Sequence, residues 1–253
     1  MAKQSGILKV EGTMGGITFY KSRQDGYLAR EKGNLDATRI ATDPNFQRTR
    51  ENGAEFGKAG AAGKVLRTAF RALLINASDS RVTSRLVTEM VKVIKEDQVN
   101  TRGQRNVIDG EAMILLGFEF NIAGKLSASM YAPFNSSIDR VTGVLKVDIP
   151  PYIPANMINA PAGATHYKIN AAGADVDFEN EKYTVDTASS AELTLDNVAT
   201  AALSLSCNVP VNSTHPLFIV LGVEFFQDVN GVKYSLKNGA FNSLAIVNVD
   251  GGV

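Results

Sequence analysis

Near residue 120 the chain changes both the period of its apolar residues and the sign of its charge. Before that point apolar side chains recur mostly at the three- and four-residue spacing of helices, and beyond it they alternate as strands do. Residues 1–124 hold 19 Lys+Arg against 14 Asp+Glu, a balance of +5, and residues 125–253 hold 7 against 12, a balance of −5. The expected fold is α+β: an N-terminal β-hairpin arm and helical region over 1–124, then an antiparallel Ig-like β-sandwich over 125–253.

With 253 residues, 44% of them hydrophobic, the chain can build one large core or two modest ones, which excludes disorder as its main state. A single cysteine, Cys207, has no internal disulfide partner and lies in a strand-like run, where a small, inert, buried residue is expected. The first residues lack the apolar run of a signal peptide, and no stretch of about 18 apolar residues occurs. Synthesis in the cytoplasm without a membrane span is therefore expected, with any exit by lysis or by a route that reads no N-terminal signal.

Residues 15–32 read as two short strands around a turn at Arg23 to Gly26, since Asp25-Gly26 suits a tight turn. Glycines at 6, 12, 15 and 16 make the preceding segment an extended arm that must find a partner surface, because an isolated hairpin is marginal in water. Asp43-Pro44 signals a helix start, with the aspartate as cap and the proline at the first helical position. The glycines between Gly53 and Gly63 predict a break or a tight crossing near 57–63. Val65, Leu66, Ala69, Phe70, Leu73 and Leu74 then form one apolar stripe. After cap candidates Ser78 and Asp79, a second stripe of Val82, Leu86, Met90, Val93 and Ile94 predicts a packed helical pair. The segment from Met113 to Ile122 should begin the β-part. Strands are expected at 126–133, 141–149, 164–170, 174–186, 191–195, 201–209, 216–227, 232–236 and 243–249, with Asn230-Gly231 forming a type I′ hairpin turn.

No catalytic constellation emerges. The stretch ending Gly63-Lys64 lacks both the earlier glycine of a phosphate loop, where Lys58 stands, and the hydroxyl after the lysine, where Val65 stands. Asp175, Asp177, Glu179 and Glu181 alternate along a presumed strand, so their carboxylates share a face; a solvated face fits this spacing better than a calcium loop. His166 and His215 have no companion at metal-ligand spacing. The basic residues of the first half, Arg48, Arg50, Arg67 and Arg71 among them, are interleaved with acids, so a solvated face or a dock for an acidic protein partner is favoured over nucleic acid. The Asn-x-Ser/Thr triplets at Asn76, Asn135 and Asn212 read as chance matches.

Gly12-Thr-Met-Gly-Gly-Ile-Thr-Phe-Tyr-Lys, the Asp25-Gly-Tyr-Leu-Ala-Arg turn and Asp43-Pro-Asn-Phe-Gln-Arg-Thr-Arg-Glu-Asn resemble the opening of a family of uncharacterised bacterial proteins. Gly222-Val-Glu-Phe-Phe-Gln-Asp-Val-Asn-Gly and Leu236-Lys-Asn-Gly-Ala-Phe resemble the β-domain of uncharacterised Bacteroidota proteins. The opening is also similar to small proteins in phage-like structural gene neighbourhoods, which implies a role in assembly. No catalytic motif comes with the resemblance.

The expected function is that of a non-enzymatic structural protein, without cofactor or metal, that forms a homo-oligomer such as a filament, tube or virion-like particle. Strand addition by the arm would seat Ile17, Phe19 and Tyr27 in a neighbour, and Arg48, Arg50, Arg67 and Arg71 would meet the acidic half of the next copy. The alternative is a carbohydrate- or protein-binding β-sandwich module.

Overall fold

The structure, a computed structural model, describes residues 2–22, 25–33, 37–77 and 79–252, leaving out the side chain of Lys237. The chain forms two compact units, Met1–Arg50 and Glu51–Val253.

In the first unit, β1 (Ala2–Lys3), β2 (Gly12–Met14), β3 (Ile17–Ser22) and β4 (Gly26–Glu31) form an antiparallel sheet in the order β1-β4-β3-β2. The expected hairpin is β3–β4; Arg23 and Gln24 of its turn lie outside the described residues. The glycine-rich arm finds its partner within its own chain, as β2 and β1 cover the two edges of that hairpin. Gly15, at φ +57°, allows the turn from β2 into β3. A short helix, α1 (Ala37–Thr42), precedes the expected cap. Asp43 then accepts a 2.9 Å bond from the Asn45 amide, and Pro44 opens the 3-10 turn Pro44–Phe46 that runs into α2 (Gln47–Ala69). None of the described side chains among residues 2–50 is buried.

The second unit holds the core. Helix α2 runs unbroken through the expected break, because helical backbone tolerates each glycine at about 1 kcal/mol and packing offsets that cost. The expected tight crossing occurs at Gly63, where a Cβ would stand 3.7 Å from side-chain atoms of Leu86 and Val87 on α4 (Val82–Lys95). A single turn, α3 (Arg71–Leu74), lies between them. Asp79 accepts the Arg81 amide at 2.6 Å in the turn before the helix, but the residue at the cap is Arg81, which makes no side-chain capping bond, and Ser78 lies outside the described residues. Val82, Leu86, Met90, Val93 and Ile94 are all buried.

Where β-structure was expected from Met113, the chain makes a 3-10 turn, Ala112–Leu115, and then a strip in which Gly117 and Phe120 donate to the carbonyls of Ile246 and Leu244. The expected strand at 126–133 is instead α5 (Leu126–Ser129). After it come β5 (Asn135–Asp139), absent from the sequence reading, β6 (Val144–Ile149), and the single turn α6 (Pro154–Met157). Strand β7 (His166–Asp177) continues through Ala171-Ala172-Gly173, where a gap between two strands was expected, and returns as β8 (Lys182–Ser189). The remaining strands are β9 (Leu193–Thr194), β10 (Leu203–Asn208), β11 (Leu217–Val229), β12 (Val232–Ser235) and β13 (Ser243–Asp250). The β11–β12 turn has Asn230 at φ 56° and Gly231 at φ 81°, the positive pair that a type I′ turn demands.

These strands make a six-stranded antiparallel sheet built on β11 and β7, and a three-stranded one in the order β10-β6-β5. The centre of the larger sheet, formed by β7 and β11, is buried on both faces. Ala172, Ala174, Val176, Phe218 and Val220 meet α2 and α4, while Tyr167, Ile169, Ala171, Ile219 and Leu221 meet Leu145, Val147, Leu205 and Cys207 of the smaller sheet. That accounts for the unbroken apolar run Leu217 to Val223, in which alternation would be visible only if one face were wet. It also corrects the expected boundary at 124/125: the helices before that point close the same core as the strands after it, and the division falls at Arg50/Glu51. Gly173 faces the smaller sheet, where a Cβ would come within 2.9 Å of Cys207 Cβ and Leu145 Cδ2, so its absence lets the two sheets close. Among the described residues no helix is long and apolar enough to cross a membrane.

Candidate assembly interface

Directly opposed residues of an antiparallel sheet share a face. The register Met14↔Ile17, Gly12↔Phe19, Phe19↔Ala29, Lys21↔Tyr27 and Ala2↔Ala29 therefore gathers Met14, Ile17, Phe19, Ala29 and Tyr27 on one face of the N-terminal sheet. Ile17, Phe19 and Tyr27, the trio singled out in the sequence, are thus brought together. Met14 and Ile17 remain 69% and 46% exposed, while Phe19 and Tyr27 are half-buried. Lys21 and Lys9 approach the Tyr27 ring with their ammonium groups 5.3 and 6.0 Å from its centroid. The face is apolar around Met14, Ile17 and Phe19, with Lys9, Lys21 and Glu31 at its margin, and the opposite face carries Thr13, Thr18, Tyr20 and Arg30.

The four arginines part company. Arg48 and Arg71 are exposed. Arg50 is committed to structure, since its Nη1 donates to the carbonyls of Ile40 at 2.7 Å and Asp43 at 2.9 Å and ties the end of α1 to α2. Arg67 is half-buried, with its Nε enclosed and lacking a hydrogen-bond partner among the described residues. Moving the boundary to 50/51 keeps the charge split: residues 1–50 hold 9 Lys+Arg against 5 Asp+Glu, a balance of +4, and residues 51–253 hold 17 against 21, a balance of −4.

A second feature escaped the sequence. His215, 44% exposed, donates or accepts through Nδ1 at 2.8 Å to Oδ1 of buried Asp175, and its Nε2 stands 3.8 Å from Asp177. The loop that carries it is anchored by Arg140, whose Nη1 donates to the His215 carbonyl at 2.8 Å and whose Nη2 pairs with Asp250 at 2.7 Å. His215, Asp175 and Asp177 line an open cleft of about 690 Å³ together with Tyr183, Asn212 and Ser213. Asp177 is held below the usual carboxylate range, first by the Asn180 amide and then, against burial, by the Asn180 side chain and the His215 charge. Only Asp175 and Asp177 of the expected four-carboxylate face belong to β7; Glu179 and Glu181 lie in the turn. Among the described residues no group of three or more His, Cys, Asp or Glu is placed to hold a metal ion. The separation of His215 and Asp175 by 40 positions left no local signal by which the pair could have been found.

The remaining charged clusters are structural. Glu55 is buried against Arg105, which donates from Nε at 2.8 Å and Nη2 at 2.9 Å, and against the Gly103 amide at 2.8 Å; Arg105 is the main reason its carboxyl sits low. Asp97 accepts the Val99, Asn100 and Asn106 amides and the Asn100 side chain. Burial opposes its ionisation, and these donors outweigh burial, holding it at about 2. Cys207 is buried, and desolvation pushes its thiol up to about 11, as befits an inert residue. No protein-family model, curated protein or solved structure matches the chain.

Proposed function

We propose that this chain is a non-enzymatic structural protein that self-assembles into a homo-oligomer through its N-terminal sheet, aided by opposite charge on its two units. The observation that carries the proposal is a fifty-residue unit with an apolar sheet face and, among its described residues, no buried side chain. Small units without a core of their own need another source of apolar burial, and a second copy supplies one. The +4 and −4 units favour head-to-tail contact, which propagates into rings or open helices. The resemblance of the opening to small proteins of phage-like structural neighbourhoods agrees with this reading, and the proposal includes synthesis in the cytoplasm and release by lysis. The finer description of the strands as an Ig-like sandwich belongs to the same proposal; its support is a six-stranded and a three-stranded antiparallel sheet facing each other across one apolar layer.

The test is particle size by sedimentation and electron microscopy across concentration, for the full chain and for a chain lacking residues 1–33. Assembly by the full chain and a folded monomer after truncation are expected. A full chain that stays monomeric at every concentration would refute the proposal. Raising NaCl from about 0.05 to 1 M should slow assembly, because the Debye length falls to about 3 Å.

The cleft beside His215 favours a second reading, a binding module for a saccharide: Tyr183, 41% exposed, offers a ring face, and Asn212, Ser213 and the His215–Asp175 pair offer polar groups around it. Glycan-array binding that disappears in Tyr183→Ala, from a particle that stays monomeric, would favour that reading over assembly.

A further inference from the structure

The loop between β1 and β2 is braced by two side chains, since Lys9 Nζ donates to the Gln4 carbonyl at 2.5 Å and Gln4 bridges the loop to β4. Gln4 Nε2 donates to the carbonyls of Val10 and Leu28, each at 3.1 Å, and Gln4 Oε1 accepts the Val10 amide at 3.0 Å. The brace closes a short loop whose tip is Ile7-Leu8, and these two aliphatic residues are 102% and 86% exposed. Isolated exposed leucines need no explanation, but two adjacent ones at the tip of a pinned loop make a preorganised apolar knob, with little ordering left to lose on docking. Lys3 and Lys9 flank it in sequence.

The second unit carries a matching hollow. Where the strip Gly117 to Phe120 pairs with the edge of β13, a groove of about 290 Å³ opens between that strip and α5. Leu116, Leu126, Met130, Phe134 and Val247 make its walls apolar. Leu126 and Met130 are buried, whereas Leu116 is 48% exposed, so the groove has a fixed floor and an open lip. Glu119 is the charged residue on the lining; it is held in place by accepting the Leu126 amide at 2.9 Å.

Resting on the self-assembly reading, we propose that Ile7 and Leu8 of one copy insert into this groove of the next copy, with Lys3 facing Glu119. Charge complementarity selects a second copy as the occupant: the knob belongs to the unit of balance +4 and the groove to the unit of balance −4. The groove, about 290 Å³ and apolar apart from Glu119 and Ser127, has room for a pair of aliphatic side chains. Each chain then presents one knob and one groove, so the contact is heterologous and repeats along a polymer.

The experiment uses two full-length variants, Leu8→Asp to spoil the knob and Leu116→Arg to spoil the lip, both at exposed positions where the fold should survive; circular dichroism melts check that it does. Each variant alone should lose assembly, with the association constant down at least about tenfold. Mixed in equal amounts they should form a heterodimer and stop there, because the Leu116→Arg chain keeps its knob and the Leu8→Asp chain keeps its groove. If Leu8→Asp fails the fold check, Ile7→Asp should give the result expected of it. Variants that assemble like the unmodified chain would overturn this contact while leaving self-assembly standing. A loss of assembly in each variant that mixing does not restore to a dimer would also overturn it. If the unmodified chain itself never assembles, the failure lies with the self-assembly reading.

Discussion

Replacing Met14 and Ile17 together by threonine removes apolar surface from the sheet face while keeping residues that suit a strand. Fully burying a side chain of this size contributes about 1.5–3 kcal/mol. Met14 and Ile17 have 69% and 46% of their surface left to bury. Scaling the midpoint by those fractions gives about 1.5 kcal/mol for Met14 and about 1 kcal/mol for Ile17, of which the threonine methyls keep a little. A loss of about 2 kcal/mol per contact corresponds to a roughly 30-fold weaker association. The folded subunit should hardly notice, because exposed substitutions usually fall within about 0.5 kcal/mol. Sedimentation velocity over a concentration series measures the first quantity and thermal melts of dilute protein the second. Association changed by less than about threefold, with unchanged melts, would mean that this face stays in water in the assembly and that the argument from its apolar character is wrong.

Three further outcomes follow from the core and its polar network. Leu86 is fully buried against Gly63, so Leu86→Ala should cost about 2–5 kcal/mol in chemical denaturation, and a cost under about 0.5 would remove α4 from the core. Gly173→Val should cost at least about 1–3 kcal/mol by forcing a side chain into the 2.9 Å gaps to Cys207 and Leu145; a neutral result would mean that the sheets are not closed there. Asp97 sits at about 2 in the folded protein against an ordinary 3.8, so its contribution is present above the ordinary value and fades as pH falls toward 2. Asp97→Ala should therefore be less stable by about 1–3 kcal/mol at neutral pH, with the gap closing between about pH 4 and 2; a gap independent of pH would exclude the carboxylate as its cause.

Local chemistry settled a good part of this protein. Asn230-Gly231 fixed a turn, because few other pairs accept two positive φ angles, and Asp43-Pro44 fixed a helix start, because capping and a missing N–H act within one turn. The stripe from Val82 to Ile94 gave α4 its buried face, and alternation in the N-terminal hairpin put Ile17, Phe19 and Tyr27 on one side of a sheet. Tertiary structure decided what depends on contacts remote in sequence. Whether Ala171-Ala172-Gly173 breaks a strand or lets two sheets approach depends on Leu145 and Cys207 lying opposite. The division at Arg50/Glu51 arises because β7 and β11 bury both faces, one against helices and the other against strands, and a continuous apolar run does not say what covers it. His215 became half of a pair only when β7 carried Asp175 to it, since a hydrogen bond needs proximity in space and leaves no period in the chain.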